Sequence, residues 1–557
     1  MPYYASQGSA WINIGLTPIT ENCYNCSRQK QIPIFLILGL MIALFNLAAA
    51  QESRDDAWAV LIGQDFVRYV PGIEEWNLYF WVVGDGWKSS PAKLTNIKVV
   101  ADGVTLPLDT VEFKEAPWVK ANGRLTEAQV REIRQAALSE AIAPQDIQRL
   151  EALTKQLTAI LEEVPAATLT IKRALPEGQH LVEVYLSYEK DGLMVNLVEN
   201  TEVVISAIPK ASGWFSADPH IHSTYSDSNA SHGTIKSELT KRGYYIGYLT
   251  DHTNKLISSN NFPNMNGAYP KACKNVSTST TSLFPGIEMR IGHKILGVWN
   301  GDGHCLGYGV TSTTNLDDNT YGAQVGLRNI NGNNSPKSSS AIAHPTHDVY
   351  KWEDWTVTYY YGIELMSGPQ LAFDYNASPV KKWRSECARL AAWNSFRPSV
   401  RTGSDAHSIS GFKSYVTHVK LASDTTWNNG TWEQRRSAVD TALKNGKTTI
   451  SRKGSLAYFT ANGYDVGSAF IPPSGSVSFY IYFKPVVSGT YNLYLFRDNL
   501  AGTVWSKLTQ SLTANSAYGW TTTYPLPSGR HYYWLYVVGG GGEWCYTTPI
   551  YITKPSS

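Results

Sequence analysis

Between Ser212 and Ser451 the apolar, strand-like runs of this chain repeatedly end in histidine and carboxylate residues, and helical stretches separate many of these runs. Such alternation argues for a parallel, barrel-like sheet, because a strand is returned to the starting edge by a helix before the next parallel strand pairs with it. Helical spacing runs from Thr234 to Arg242, stops at Gly243 and gives way to a strand from Tyr244 to Thr250. A second helical stretch, Pro379 to Trp393, feeds the strand before Gly403. A third, Trp432 to Lys444, ends at Gly446, and glycine readily takes the left-handed turn that closes a helix.

The flanks have a different period. From 51 to 211 the apolar residues alternate, as in Trp76-Asn77-Leu78-Tyr79-Phe80-Trp81-Val82-Val83, which predicts a small β-sandwich. A helical hairpin over about 125–163 interrupts it, with Leu125, Val130, Ile133 and Ala137 on one face, a break at Pro144, and then Ile147, Leu150, Leu153, Leu157 and Leu161. From 454 to 557 helical spacing is absent, and runs such as His531-Tyr532-Tyr533-Trp534-Leu535-Tyr536-Val537 predict a C-terminal β-sandwich. The expected fold class is therefore multidomain α/β plus β: a central distorted (β/α) barrel over 212–453 between two sandwiches, in line with ~150 residues per domain. No internal repeat is evident in the sequence.

Arg28 and Lys30 precede an apolar run from Ile32 to Ala48, which closes on Ala48-Ala49-Ala50 before Gln51. This is the pattern of a signal peptide over residues 1–50, its apolar run being short for a bilayer-spanning helix. It predicts a secreted or periplasmic protein with no stable membrane span after cleavage; the alternative is an uncleaved anchor. Cleavage removes Cys23 and Cys26 and leaves Cys273, Cys305, Cys387 and Cys545, an even number that allows one or two disulfides in an oxidising compartment. With 48 basic and 46 acidic residues the net charge is +2, and no long basic run is present. The chain thus lacks the electrostatic footprint of a nucleic-acid binder.

Chemistry concentrates in the central segment. Asp218-Pro219-His220-Ile221-His222 places two imidazoles on one face of an extended strand, where both can grip one cation. The next apolar runs end in Thr250-Asp251-His252, Pro285-Gly286-Ile287-Glu288, Ala343-His344-Pro345 and Gly403-Ser404-Asp405-Ala406-His407. Taken singly, each is as well explained by a cap, a turn or a surface histidine. A parallel barrel gathers the carboxyl ends of its strands on one face, however, so the whole series would converge on one pocket. Imidazoles mixed with carboxylates, without a cysteine cluster, suit zinc, manganese or iron at catalytic sites. Cys305 follows His304 directly and would face the opposite side of its strand, into the core.

These motifs, with Ser226-Asp227 and Gly303-His304-Cys305-Leu306-Gly307, resemble those of the PHP (polymerase and histidinol phosphatase) family, and most closely its carbaryl-hydrolase, CehA/McbA-type branch. The resemblance spans Asp218 to His407. It implies a PHP-type barrel with two or three divalent metal ions: His220, His222 and Asp405 on the first, Glu288 bridging to a second held by His304 and His344, and His252, His407 and Asp227 on a third. His293 is the alternative to His304, and His347 is a spare histidine beyond His344. The catalytic roles fall to Glu288, Asp405, His407 and Arg290; Arg290 and Arg401 both neighbour ligand positions and are candidate phosphate clamps. Asp218, Asp251 and Glu364 are expected to orient the ligand histidines by accepting their second N–H.

The expected reaction is hydrolysis by a metal-activated hydroxide, on a small-molecule phosphate ester or, with the same ligands, on a carboxylic ester or carbamate. A reading of another class is a non-catalytic carbohydrate- or surface-binding protein working through Trp520, Tyr532, Tyr533, Trp534 and Tyr536. The loops Thr253 to Ser282 and Thr311 to Ser339 exceed ordinary connection lengths and are expected to shape substrate access.

Overall fold

The alternating runs of the N-terminal flank form two facing sheets in the computed structural model. The model describes residues 59–555 apart from 63–65, 84–92, 116–166, 191, 296–297, 319–321, 334–335, 347–350, 368–377, 392–397, 499–503 and 541. The expected signal segment, the expected helical hairpin and His347 lie outside the described residues. One sheet of the flank runs, in spatial order, Ala59–Ile62, Trp76–Val83, Ala167–Ile171, Val111–Glu115; the other runs Phe66–Tyr69, Leu193–Ile205, Gly178–Lys190, Lys93–Ala101, Val104–Thr105. Alternate residues Trp76, Leu78 and Phe80 from one sheet share a buried core with Val182, Val184 and Leu186 from the other. Full burial of such side chains contributes about 1.5–3 kcal/mol each.

The central segment divides its strands between two sheets. In the first, Trp214–Ile221, Ile246–Leu249 and Ser282–Pro285 pair in parallel; in the second, Ser339–Ile342, Gly362–Ser367 and Ser399–Gly403 do so. The expected helices are present as His232–Lys241, Ser378–Ala391 and Trp432–Lys444, the last opened by a capping box between Thr431 and Gln434. A single closed barrel is not what the described strands form. Glu288 lies in an antiparallel pair, Ile287–Ile295 with Val298–Tyr308, so a hairpin rather than a crossover helix follows it. The two sheets touch instead through isolated parallel bridges, Ile221 with Ala406 and His252 with Glu288. Both bridges lie at the strand ends that carry the candidate ligands.

The C-terminal flank is continuous with the first central sheet. Thr448–Ser451 pairs with Glu543–Thr547, which joins the central strands to the sandwich in one 11-stranded sheet. The second layer of that sandwich runs Tyr464–Asp465, Leu456–Ala461, Ser476–Lys484, Tyr518–Pro525. Tyr532, Tyr533, Trp534 and Tyr536 are buried between elements of this assembly, and Trp520 packs against its core. Four of the five rings singled out for a carbohydrate-binding reading are thus core packing, and Trp520 is half-buried.

The sequence shows no repeat, yet the two sandwiches share one pairing scheme. Ala59–Ile62 lies against Trp76–Val83, which lies against Ala167–Ile171, all antiparallel; Leu456–Ala461, Ser476–Lys484 and Tyr518–Pro525 do the same. Lys93–Ala101 pairs with Gly178–Lys190, and that with Leu193–Ile205; Gly489–Arg497 pairs with Gly529–Gly539, and that with Glu543–Thr547 and Ile550–Lys554. A short strand then adds in parallel to the last one, Phe66–Tyr69 in one sandwich and Ala469–Phe470 in the other. A shared clasp marks the same corner. In Leu175-Pro176-Glu177-Gly178-Gln179-His180 the ring spans Asp102 Oδ2 at 2.6 Å and the Pro176 carbonyl at 2.8 Å; in Leu526-Pro527-Ser528-Gly529-Arg530-His531 it spans Asp498 Oδ2 at 2.6 Å and the Ser528 carbonyl at 3.1 Å. Both aspartates take a left-handed backbone, φ 50° and 59°, and each accepts the amide after the histidine.

The four cysteines Cys273, Cys305, Cys387 and Cys545 are all buried and unbridged, so the disulfides allowed by their number are not formed. The segments expected as long access loops carry helices of their own, Thr253–Ser258, Ala268–Val276 and Ala323–Asn331. Among the described residues no helix is long and apolar enough to cross a membrane.

Candidate metal centre

Every residue of Trp214–Ile221 is buried, which takes His220 and, just past the strand end, His222 out of water entirely. Their rings converge: His220 Nε2 lies 3.3 Å from His222 Nε2, and the two nitrogens are 3.1 and 3.2 Å from Asp405 Oδ1. Glu288, almost fully buried on the other sheet, completes this group, with Oε2 3.2 Å from His222 Nε2 and Oε1 3.6 Å from His220 Nε2. Glu288 Oε1 also lies 2.8 Å from His304 Nδ1 and 3.0 Å from His344 Nε2, which makes a second group. A third gathers at the surface, where Asp227 Oδ2 is 3.3 Å from His252 Nε2 and 3.4 Å from His407 Nε2, and Asp227 Oδ1 is 3.4 Å from His222 Nδ1.

These spacings are those of ligands around a cation. Ligand bonds of about 2.1 Å in a tetrahedron put neighbouring ligand atoms about 3.4 Å apart. In the first group they are 3.1–3.6 Å apart. Two observations show that protein hydrogen bonds alone do not account for the arrangement. Imidazole nitrogens of His220 and His222 face each other, and Asp405 Oδ1 is buried without an aligned donor although ring nitrogens surround it. The ligand atoms thus form three groups that can each hold a metal ion: His220, His222, Glu288 and Asp405; Glu288, His304 and His344; His222, Asp227, His252 and His407.

The backbone is bent to present them. His344 and Asp405 have φ of 24° and 52°, a left-handed conformation that costs a non-glycine residue of order 1–3 kcal/mol. Each is tied down by its own amide: Asp405 N–H donates to the His220 carbonyl at 2.9 Å, and His344 N–H to Glu364 Oε2 at 3.1 Å. Gly403, before this bend, lies so close to the neighbouring strand that an added Cβ would meet the His220 Cβ at 2.4 Å.

Electrostatics follow from crowding carboxylates and imidazoles in one dry space. Burial opposes charge on His220 and His222, but Asp405, Glu288 and the other facing carboxylates hold both rings well above the usual histidine range. By the reverse of the same interactions, Glu288 and Asp405 are held well below theirs against the push of burial. Burial carries His304 down to about 4 despite Glu288 beside it, which leaves its ring neutral and ready to offer a lone pair.

Of the residues expected to orient ligands, Glu364 does so directly: it is fully buried, and both oxygens lie 3.1 Å from His220 Nδ1. Asp218 and Asp251 take other roles. Asp218 Oδ1 accepts the amides of Ser404 at 3.0 Å and His220 at 3.3 Å, so it braces backbone. Asp251 accepts from Ser223 and Ser226 and touches no ligand ring by hydrogen bond. Arg401 is fully buried, donating to the Leu443 carbonyl at 3.0 Å with its guanidinium 4.6 Å from the Tyr308 ring centre, which withdraws it from any substrate. Arg290 is half-buried beside the centre, and its amide donates to Asp318 Oδ1 at 3.0 Å. His304 takes the place in the second group for which His293 was the alternative; the His293 side chain lies outside the described residues. Cys305 is buried in the core as its strand position predicts.

Fold and site together define a strand-rich chain with a buried histidine–carboxylate centre able to hold divalent cations. No family model and no curated protein matches the sequence. Among solved structures, the chain is similar at 14% identity to a two-domain protein from Bacteroides vulgatus containing a predicted PHP-like metal-dependent phosphoesterase, over 59% of this chain and 91% of that one, with a TM-score of 0.31. A lesion-specific endonuclease from Pyrococcus furiosus aligns at 12% identity over 41% and 56% of the two chains, with a TM-score of 0.26. An amidohydrolase from Chromobacterium violaceum, with bound sulfate and no metal, aligns at 14% identity over 34% and 87%, with a TM-score of 0.21.

Proposed function

We propose that this chain is an exported, metal-dependent hydrolase of the PHP type, a phosphoesterase acting on small phosphorylated molecules. The observation that carries the reading is the sharing of Glu288 and His222 among three ligand groups whose atoms stand at metal–ligand spacing. A carboxylate reached by five imidazoles, at 2.8 to 3.6 Å, is a costly thing to bury unless cations compensate it. Divalent zinc, manganese or iron bound there would supply Lewis acidity and an acidified water. The chain's own residues supply the rest. Glu288 fixes the spacing between the two inner groups, and Glu364 locks the His220 ring. Asp405 and His407, on one bend, hold the inner group and the half-exposed rim, where Asp227 and His407 are each 42% accessible and substrate can enter. Arg290, half-buried two residues beyond Glu288 on the same strand, is the proposed contact for an anionic oxygen.

The test is turnover by the metal-reconstituted protein of aryl phosphate mono- and diesters beside aryl acetate and aryl carbamate. Hydrolysis of the phosphates is expected. Turnover of the carbonyl substrates alone would replace the phosphoesterase by an esterase on the same centre, and no turnover by a metal-loaded protein would remove the hydrolase reading. Export is tested separately by N-terminal sequencing of the mature chain, expected to begin near Gln51.

A further inference from the structure

The ligands of the two inner groups are buried or nearly so; in the outer one His222 is buried, but Asp227 and His407 are each 42% exposed. Something other than packing must hold Asp227 against His252. One backbone bond, Asn229 N–H to the His407 carbonyl at 3.4 Å, ties the turn that carries Asp227 to the neighbouring bend; its side-chain anchor is the fully buried carboxylate of Asp251, which accepts from Ser223 N–H at 2.8 Å, Ser223 Oγ at 2.7 Å and Ser226 Oγ at 2.6 Å. Ser226 Oγ lies in turn 3.0 Å from Asp227 Oδ1 and 3.3 Å from His222 Nδ1. Asp251 precedes His252 in the chain, and its own carbonyl accepts the amide of Glu288 at 3.1 Å. One residue therefore connects the turn bearing Asp227, the strand end bearing His252 and the strand bearing Glu288.

From this geometry we infer that Asp251 is the positioning residue of the outermost cation site: it sets the separation of Asp227 from His252 and so decides whether a third ion binds, while the inner two depend on Glu364 and burial. The inference rests on the metal-dependent reading above and deepens it. Substitutions of residues that orient metal ligands cost about 10–100-fold in metal affinity. Asp251→Ala removes all three acceptor contacts from the turn. Ser226→Ala removes the hydroxyl that lies between Asp251, Asp227 and His222 Nδ1, and it leaves the buried carboxylate and its two bonds from Ser223 in place.

The experiment is titration of the purified, metal-free protein with Mn²⁺ alone, with bound metal counted by mass spectrometry. Thermal unfolding of each variant is followed alongside. Wild type is expected to take three ions. Asp251→Ala should take two, with the affinity of those two unchanged, and Ser226→Ala should keep three with the weakest loosened by about 10-fold or more. Asp251→Asn, which retains an acceptor oxygen for Ser223 and Ser226, should restore much of the third site. If Asp251→Ala fails to fold, the Ser226→Ala result decides alone. Loss of inner and outer ions in parallel, an unaltered third ion in the Ser226 variant, or a wild type that takes only two ions overturns the inference and leaves the metal-dependent reading standing; a wild type that takes none overturns both.

Discussion

Glu364→Gln is the substitution whose cost can be worked most directly from the structure. The carboxylate is fully buried; both oxygens lie 3.1 Å from His220 Nδ1, and Oε2 also accepts the His344 amide at 3.1 Å. Glutamine keeps the volume but offers one acceptor in place of two, so either the imidazole of one ligand or the backbone of another loses its partner. A hydrogen bond to a charged group contributes about 1.5–3 kcal/mol. The loss of 10–100-fold in metal affinity typical of such orienting residues corresponds to about 1.4–2.8 kcal/mol at 1.4 kcal/mol per tenfold. The two routes agree, so the inner site should weaken by one to two orders of magnitude. Chelator competition followed by metal analysis measures it, with unfolding of the metal-free variant as control. Unchanged affinity, or a loss confined to the outermost ion, would refute the reasoning.

The facing carboxylates hold His220 and His222 protonated above the usual histidine pKa of about 6.5, so a cation must displace protons to bind. Affinity should therefore rise as pH is raised through and beyond that value, with proton release visible by calorimetry in buffers of different ionisation enthalpy; pH-independent binding would count against it. His531→Ala should cost about 1.5–3 kcal/mol in urea unfolding, and His180→Ala nearer ~1 kcal/mol because Asp102 is half exposed. If neither substitution moves the midpoint, the clasps do not fasten the sandwiches. Arg290→Ala should raise KM for aryl phosphate several-fold with modest loss of stability, whereas Arg401→Met should leave KM alone and act on stability; the opposite pattern would move the clamp to Arg401.

How much of this could be read in the chain follows from which residues act locally. Several ligands were legible because they close an apolar run, as His252 closes Ile246–Leu249 and Asp405 follows Ser399–Gly403; Glu288 at the start of Ile287–Ile295 and His304 inside Val298–Tyr308 were legible through the resemblance of their motifs. Glu364 was legible as a charge in the middle of a buried strand. Asp251 and Asp218 were misread because their partners, Ser223 and Ser404, are set by the register between strands, which the sequence does not display. Arg401 was ambiguous for the same reason: only the helix Trp432–Lys444 packed beneath it shows what it binds. The expected distorted (β/α) barrel departs from the described strands at Glu288, whose strand Ile287–Ile295 pairs antiparallel with Val298–Tyr308 where a crossover helix was expected. The kinship of the two sandwiches was present in Leu-Pro-x-Gly-x-His, but a motif that short becomes informative only once the strand pairings around it coincide.

The central claim is that residues from His220 to His407 enclose cations in one pocket. Anomalous X-ray diffraction from crystals equilibrated with zinc tests it most directly. Peaks are expected about 2.0–2.2 Å from the ring nitrogens of His220 and His222 and from the nearest oxygens of Glu288 and Asp405, with a second peak against His304 and His344. Anomalous density only at surface histidines, with the rings of His220 and His222 still facing each other across an empty gap, would contradict it.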